Sequence, residues 1–142
     1  MTELKVNIEK IIHAPIENVF DAWLNPKMLA KFMRGLPDMA DTDVSIDARE
    51  GGRFTFTMNL GDEKIPHRGT FIEISRPHRL VFTWESQYSV VENSTVTLNF
   101  VRIDDHKTNI TLTHVKFIDE EARAGHEQGW GNVLTALNAV MK

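Results

Sequence analysis

The 142-residue chain contains no cysteine. This absence excludes disulfides, thiolate zinc sites and cysteine nucleophiles, and the sequence has no sign of an oxidising compartment. No apolar run approaches the ~20 residues of a membrane-spanning helix, and residues 1–10 lack the apolar core of a signal peptide. We therefore expect a cytoplasmic protein that does not insert into membranes.

Positive charge is also scarce. The 16 basic side chains are outnumbered by 20 acidic ones, which gives a net charge of −4. A nucleic-acid-binding surface needs a cluster of Lys and Arg side chains, whereas the basic residues here are scattered along the chain. The sequence therefore predicts no nucleic-acid partner.

The sequence motifs of common catalytic and cofactor sites are missing as well. There is no glycine-rich phosphate loop and no Gly-x-Ser-x-Gly nucleophile elbow. His126-Glu127 begins a zinc-binding helix motif, but Trp130 stands where that motif requires a second histidine. We expect no metal and no cofactor, and we assign no catalytic residue.

What is present is the composition of an ordinary globular protein, with 42% apolar and 25% charged residues. A chain of this length can bury a core of its own without a disulfide or a metal. No internal repeat or shift in composition marks a boundary. We predict a single domain over residues 1–142.

The first third of the chain predicts one strand and two short helices. Residues 6–12 alternate between apolar and polar side chains, which is typical of a strand with one buried face. Pro15 is placed to begin a helix, and Asn25 with Pro26 predicts the cap and first residue of a second. Segment 36–42, rich in Pro, Asp and Met, is predicted to be a mobile loop that gates access to the interior.

The rest of the chain predicts six strands and a long helix. The strand segments are 44–50, 53–58, 68–74, 80–85, 95–100 and 108–115. Asp119 is predicted to cap a helix whose apolar residues follow at helical spacing up to Met141. Because strands and helices do not alternate, we predict an α+β fold with an antiparallel sheet of seven strands.

Four groups of residues, in order and over nearly the whole chain, resemble one family. They are His13-Ala14-Pro15 with Val19-Phe20-Asp21-Ala22-Trp23, Gly51-Gly52 before an aromatic strand, Gly69 with Arg76-Pro77 and Leu80-Val81-Phe82-Thr83-Trp84, and His126 with Gly129-Trp130. The chain is similar to bacterial relatives of the activator of the heat-shock-protein-90 ATPase, in the START-like (SRPBCC, or polyketide cyclase) superfamily.

The resemblance implies a helix-grip fold. In that fold a curved seven-stranded sheet, in the order 1-7-6-5-4-3-2, wraps around the long C-terminal helix, which roofs a hydrophobic cavity. Many family members have an aromatic pair in the second short helix, whereas this chain has Phe32-Met33. The difference leads us to expect a larger pocket mouth.

Large side chains of the predicted strands and helices share the interior face. The candidate ligand-binding residues are Phe32, Met33, Phe54, Phe56, Met58, Arg68, Phe82, Trp84, Phe100, His126 and Trp130. Such residues either line a ligand cavity or fill a solid core, and their spacing does not distinguish the two. The family resemblance favours a cavity.

The fourth strand has two possible faces. If Ile72 is buried, Arg68 points inward and would favour an anionic ligand group; if Phe71 is buried, His67 points inward. His126 shares the inward face of the last helix with Trp130, where it would hydrogen-bond a ligand or titrate near neutrality.

Three functions fit these observations. The first is binding of a small hydrophobic or amphipathic molecule, such as a lipid, a polyketide or an aromatic metabolite. The second, implied by the resemblance, is a chaperone-linked regulator or stress-response protein whose partner is a heat-shock chaperone. The third is a small cyclase or hydrolase assembled from His and carboxylate side chains distant in sequence.

Overall fold

The computed structural model describes residues 4–141 and contains seven strands and three helices over that range. In chain order the elements are β1 (Lys5–Ile12), α1 (Ile16–Ala22), α2 (Pro26–Phe32), β2 (Ala40–Ile46), β3 (Arg53–Leu60), β4 (Glu63–Ser75), β5 (Arg79–Thr83), β6 (Thr95–Asp104), β7 (Lys107–Val115) and α3 (Glu120–Met141). This order confirms the predicted α+β class, with two short helices between the first two strands.

The strands form one antiparallel sheet in the order β1-β7-β6-β5-β4-β3-β2. The sheet curls into a half barrel, and α3 packs against β1 and α2. The helix-grip arrangement implied by the family resemblance is therefore confirmed. Because β1 pairs with β7, the N-terminal strand lies beside the strand that leads into α3.

The hydrophobic core lies between the concave face of the sheet and the helices. In β3, Phe54 and Phe56 are buried while the threonine between them is only half-buried, as period-two alternation requires. In the C-terminal half of α3, Val133, Leu134 and Leu137 are buried at helical spacing. Burying each large apolar side chain of this kind contributes about 1.5–3 kcal/mol.

The predicted helix caps are present. The side chain of Asn25 accepts hydrogen bonds from the backbone N–H groups of Lys27 and Met28, at 2.9 and 3.2 Å. Asp119 accepts one from Ala122 N–H at 2.9 Å, at the start of α3. Both side chains satisfy N–H groups that have no partner within their helix.

The second strand starts and ends earlier than residues 44–50. β2 covers Ala40–Ile46, and the chain turns directly after it, where Asp47 N–H donates to Arg53 O at 2.9 Å. Thr42 is buried and its hydroxyl donates to Met33 O at 2.6 Å. The end of the predicted loop 36–42 therefore belongs to the sheet, and a side-chain bond ties it to Met33, directly after α2.

The fourth strand buries Phe71 and His67, which are 2% and 7% exposed, while Arg68 and Ile72 point to the outer face. A register shift between Phe71 and Glu73 interrupts the alternation in the middle of β4. Such a bulge changes which residues share a face, so the strict period of two could not choose between the two possibilities.

Gly69 lies on the same face of β4 between His67 and Phe71. A Cβ atom at this position would lie 2.0 Å from Thr83 O and 2.4 Å from Phe54 Cζ. The aromatic ring of β3 therefore occupies the space above the glycine. Glycine is required at position 69 because any side chain would collide with Thr83 and Phe54. Its backbone does not have a positive φ.

Gly69→Ala is expected to lower the free energy of unfolding by about 3 kcal/mol, since the extra methyl group must displace backbone or a packed ring. Urea denaturation followed by circular dichroism measures the change. Gly131→Ala in α3 is the control: its Cβ would meet no described atom within 4 Å, so it should raise stability by up to about 1 kcal/mol. If Gly69→Ala unfolds at the same urea concentration as the wild type, the packing around Gly69 is loose.

Candidate functional site

A cavity of about 580 Å³ lies between the first half of α3 and the β3–β4 hairpin. Met58 and Ile65 border it from the hairpin, Trp84 from the end of β5, and Leu36 and Met39 from the connection between α2 and β2. These side chains are mostly apolar. The cavity is thus a continuation of the hydrophobic core into open space.

The wall formed by α3 contains two glycines. Gly125 and Gly129 are one turn apart on the face that also presents His126 and Trp130 to the cavity. A Cβ atom at either glycine would meet no described atom within 4 Å. Glycine in a helix interior lowers helix stability by about 1 kcal/mol relative to alanine. These two positions therefore make α3 less stable and leave space beside it.

The aromatic wall is built around Trp84. Its ring centroid lies 4.7 Å from that of Trp130 and 4.9 Å from that of His67. Behind it, Phe54, Phe56 and Phe82 have centroids within 6.3 Å of Trp84 and fill the core. These three phenylalanines support the wall and do not border the cavity.

The predicted ligand-binding residues fall into two groups and one exception, Arg68, which is described below. Those that border the cavity are Met58, Trp84, His126 and Trp130. Those that lie in the surrounding core are Phe32, Met33, Phe54, Phe56, Phe82 and Phe100. Bordering residues from irregular connections, Tyr88 among them, were missed because such segments have no period. The two glycines of α3 were the available signal for the cavity itself.

The predicted inward position of Arg68 is wrong. It is exposed on the outer face of β4 and borders a separate groove with Glu85 and Glu92. Its neighbour His67 takes the inward position, because adjacent residues of a strand point to opposite faces. The cavity therefore lacks the guanidinium that the sequence had suggested for an anionic ligand group.

A buried hydrogen-bonded chain connects the cavity wall to the sheet. The indole N–H of Trp130 donates to His114 Nδ1 at 3.0 Å, and His114 Nε2 lies 2.6 Å from Ser94 Oγ. Since an indole can only donate, Nδ1 is the acceptor, and Nε2 carries the ring proton and donates to the serine. Ser94 in turn donates to Val115 O at 3.3 Å.

This orientation decides what the Ser94–His114 pair can do. A catalytic base must take the proton of the serine hydroxyl, but His114 Nε2 already carries a proton and Nδ1 is occupied by Trp130. Burial, with a smaller effect of nearby His126, lowers the pKa of His114 to about 3. The pair therefore serves as a structural connection.

Two further imidazoles border the cavity itself. His67 Nδ1 donates to Phe56 O at 3.3 Å, and burial lowers the pKa of His67 to about 4. His126 Nδ1 donates to Ala122 O at 2.8 Å, and burial also lowers the pKa of His126. Both rings are therefore neutral at pH 7, and Nε2 of His126 remains an acceptor.

Residues 4–141 contain no group of three or more His, Asp or Glu side chains that could hold a metal ion. None of the helices within that range is long and apolar enough to cross a membrane.

Acidification from pH 7.5 to 5 is expected to destabilise the protein. The unfolded chain takes up protons on His67 and His114 near pH 6.5, whereas the folded chain keeps both neutral until about pH 4 and 3. Each imidazole thus removes about 2 kcal/mol of unfolding free energy over this interval. Urea titrations at stepped pH values measure the loss.

The matched variants are His67→Phe, which keeps an aromatic ring against Trp84, and His106→Gln at an exposed turn. His67→Phe should make the pH dependence shallower by about one proton than that of His106→Gln, which removes an imidazole far from the cavity. Equal slopes in the two variants would mean that folding does not lower the pKa of His67.

The family model and the solved structures that match this chain point to the same family. The family model described as "Activator of Hsp90 ATPase homolog 1-like protein" matches residues 13–142. No curated protein matches the chain. The similar solved structures include an AHSA1-like protein from Aeromonas hydrophila, which is 25% identical with a TM-score of 0.77 over 96% of this chain and 93% of that chain.

Two other solved structures share the fold. A protein from Chromobacterium violaceum is 20% identical with a TM-score of 0.82, over 96% of each chain. An HSP90 activator from Plasmodium falciparum is 23% identical with a TM-score of 0.77, over 96% of this chain and 95% of that chain. At these identities the similarity shows the fold, and nothing about a ligand.

Proposed function

Because the chain belongs to the family of proteins similar to the activator of Hsp90 ATPase homolog 1, we propose that it uses the helix-grip fold to bind a small molecule. The ligand is hydrophobic or amphipathic, in the class of lipids, polyketides or aromatic metabolites. The observation that supports this proposal is the pair Gly125 and Gly129, which keep side chains out of the cavity beside α3.

The physical driving force is burial of apolar surface. The cavity of about 580 Å³ falls in the range of small-molecule sites, and Met58, Ile65 and Val133 offer apolar surface to an occupant. Each Å² of apolar area removed from water contributes about 25 cal/mol, so a ligand burying a few hundred Å² gains several kcal/mol before the costs of association. We expect an affinity in the micromolar range.

Gly129→Leu is expected to abolish most of the binding, because a leucine side chain would occupy the cavity. The probe is N-phenyl-1-naphthylamine, a neutral dye whose fluorescence rises in apolar surroundings. The wild-type protein should bind it with micromolar affinity, and Gly129→Leu should weaken that affinity about tenfold or more.

Gly131→Leu is the matched control, since Gly131 lies on the same helix, does not border the cavity and also has open space around its Cβ. It should bind the dye like the wild type, and thermal unfolding should show both variants folded. Absence of dye binding by the wild type, or equal weakening by both variants, would count against a ligand cavity at this site. Native mass spectrometry of freshly purified protein would identify a natural ligand.

A second candidate function is regulation of a heat-shock chaperone. It is favoured by the family description and by the Plasmodium falciparum neighbour, which is described as an HSP90 activator. This function would use an outer surface of the domain and would not need the cavity.

If the second function holds, the immobilised protein should capture purified Hsp90 and raise its ATPase rate. Gly129→Leu separates the two functions: it should leave chaperone capture and stimulation intact while it removes dye binding. Stimulation without any dye binding by the wild type would favour the chaperone role over the ligand role. Failure to capture Hsp90 would remove the second candidate.

No feature of the site favours a small cyclase or hydrolase. Such chemistry requires His126 and a carboxylate within hydrogen-bond reach. Among residues 4–141, the side-chain hydrogen bond of His126 goes to the main-chain oxygen of Ala122. The geometry supports binding rather than catalysis.

A further inference from the structure

We propose that the cavity binds a neutral aromatic molecule that carries a hydroxyl group, and that the imidazoles of His67 and His126 supply the acceptors for its hydrogen bond. This inference rests on the ligand-binding function proposed above, and it specifies the chemical class of the ligand as a phenol.

His67 provides the more buried acceptor. The residue is 7% exposed and borders the cavity. Its Nδ1 lies 3.3 Å from Phe56 O, and since a carbonyl oxygen can only accept, Nδ1 carries the ring proton. Burial lowers the pKa of His67 to about 4 despite the backbone oxygens of Phe56 and Ile65. The ring is therefore neutral at pH 7, and its Nε2 has a lone pair without a partner among residues 4–141.

His126 provides a second acceptor from α3. Its Nδ1 donates to Ala122 O at 2.8 Å, so Nε2 is again the nitrogen without a proton. A positive charge on His126 would lower the pKa of His67, because the two rings lie near each other. Two acceptor nitrogens, one from β4 and one from α3, thus border the same space.

The buried donors around the cavity cannot serve a ligand. The indole N–H of Trp130 already donates to His114 Nδ1 at 3.0 Å. The indole nitrogen of Trp84 and Nε of Arg34 have no partner among the described residues, but both atoms are buried behind the lining and out of reach. A ligand therefore meets acceptors at the inner wall and has to bring the donor itself.

The charges near the cavity do not favour an ionised ligand. Asp119 and Glu121 border the cavity but are exposed, so water and salt screen them. The half-buried guanidinium of Arg34 lies behind the lining and donates to Met39 O at 2.9 Å. An ammonium group would be repelled by Arg34, and a carboxylate would have no proton to donate to the imidazoles. A hydroxyl group donates without the burial of a charge.

The aromatic wall favours a ring as the carrier of the hydroxyl group. The ring centroid of Trp84 lies 4.7 Å from that of Trp130 and 4.9 Å from that of His67. An aromatic ligand beside His67 would therefore contact these rings and gain more than its buried area alone provides. A phenol combines such a ring with a hydroxyl donor.

Two probes that differ by one methyl group test the proposal. 2-Naphthol offers a hydroxyl donor, whereas 2-methoxynaphthalene has the same rings and the oxygen but no donor. Both are neutral at pH 7.5, and displacement of N-phenyl-1-naphthylamine measures both affinities. The ratio of the two affinities is compared between variants, because this comparison cancels the difference in hydrophobicity between the probes.

The double variant His67→Phe/His126→Phe keeps two aromatic rings and removes both acceptors. It should lower the preference for 2-naphthol about three- to tenfold, as expected for the loss of one neutral hydrogen bond. Met58→Leu is the matched control, since it changes the cavity lining at nearly constant volume and removes no acceptor. Its ratio should equal that of the wild type, and thermal unfolding should show that both variants are folded.

A second measurement uses the wild-type protein. In ¹⁵N-labelled protein, the signal of an unprotonated ring nitrogen moves upfield when that nitrogen accepts a hydrogen bond. 2-Naphthol should therefore shift the Nε2 signal of at least one of His67 and His126, and 2-methoxynaphthalene should leave both in place. If the double variant does not fold, these signals decide the question alone.

The outcomes separate the two proposals. An unchanged affinity ratio in the folded double variant, or Nε2 signals that do not move when 2-naphthol binds, overturns the role of the imidazoles and leaves ligand binding standing. An equal fall of the ratio in Met58→Leu has the same consequence, because the preference would then reflect packing. If the wild type binds neither the two probes nor the dye, both proposals are overturned.

Discussion

The hydrogen bond between the indole of Trp130 and the imidazole of His114 determines where the long helix sits on the sheet. It joins α3 to β7 across 16 residues of sequence, and His114 continues the chain of bonds to Ser94 at the start of β6. All three groups are buried, where an unpaired polar atom would cost about 1–3 kcal/mol. The helix therefore cannot slide along the sheet without losing a satisfied network.

This anchor divides α3 into two parts with different roles. From Trp130 onward, Val133, Leu134 and Leu137 are buried and make an ordinary helix–sheet core. Before Trp130, Gly129 and Gly125 border the cavity beside His126 and add no side chain to it. One half of the helix thus secures the fold, and the other half leaves space that the fold does not need for stability. Small-molecule sites are commonly found in cavities of this size.

Family membership and the cavity give information at different levels. The family match and the solved structures establish the helix-grip fold and include a neighbour described as an HSP90 activator. They do not name a ligand, because the same fold serves unrelated functions. The cavity of this chain is bordered by aromatic rings, neutral imidazoles and two carboxylates, and Arg68 lies on the outer face of the sheet.

Local sequence signals were enough to predict seven strands, three helices and the caps at Asn25 and Asp119, because alternation and capping depend on residues close together in the chain. The tertiary structure decided the rest. The pairing of β4 with β3, which sets His67 opposite the buried Phe56, placed His67 and not Arg68 in the interior, and the bond from Trp130 to His114 joined residues whose partnership no spacing encodes. The open space beside Gly125 and Gly129 was likewise not readable from the sequence, because it exists only once the helix is packed on the sheet.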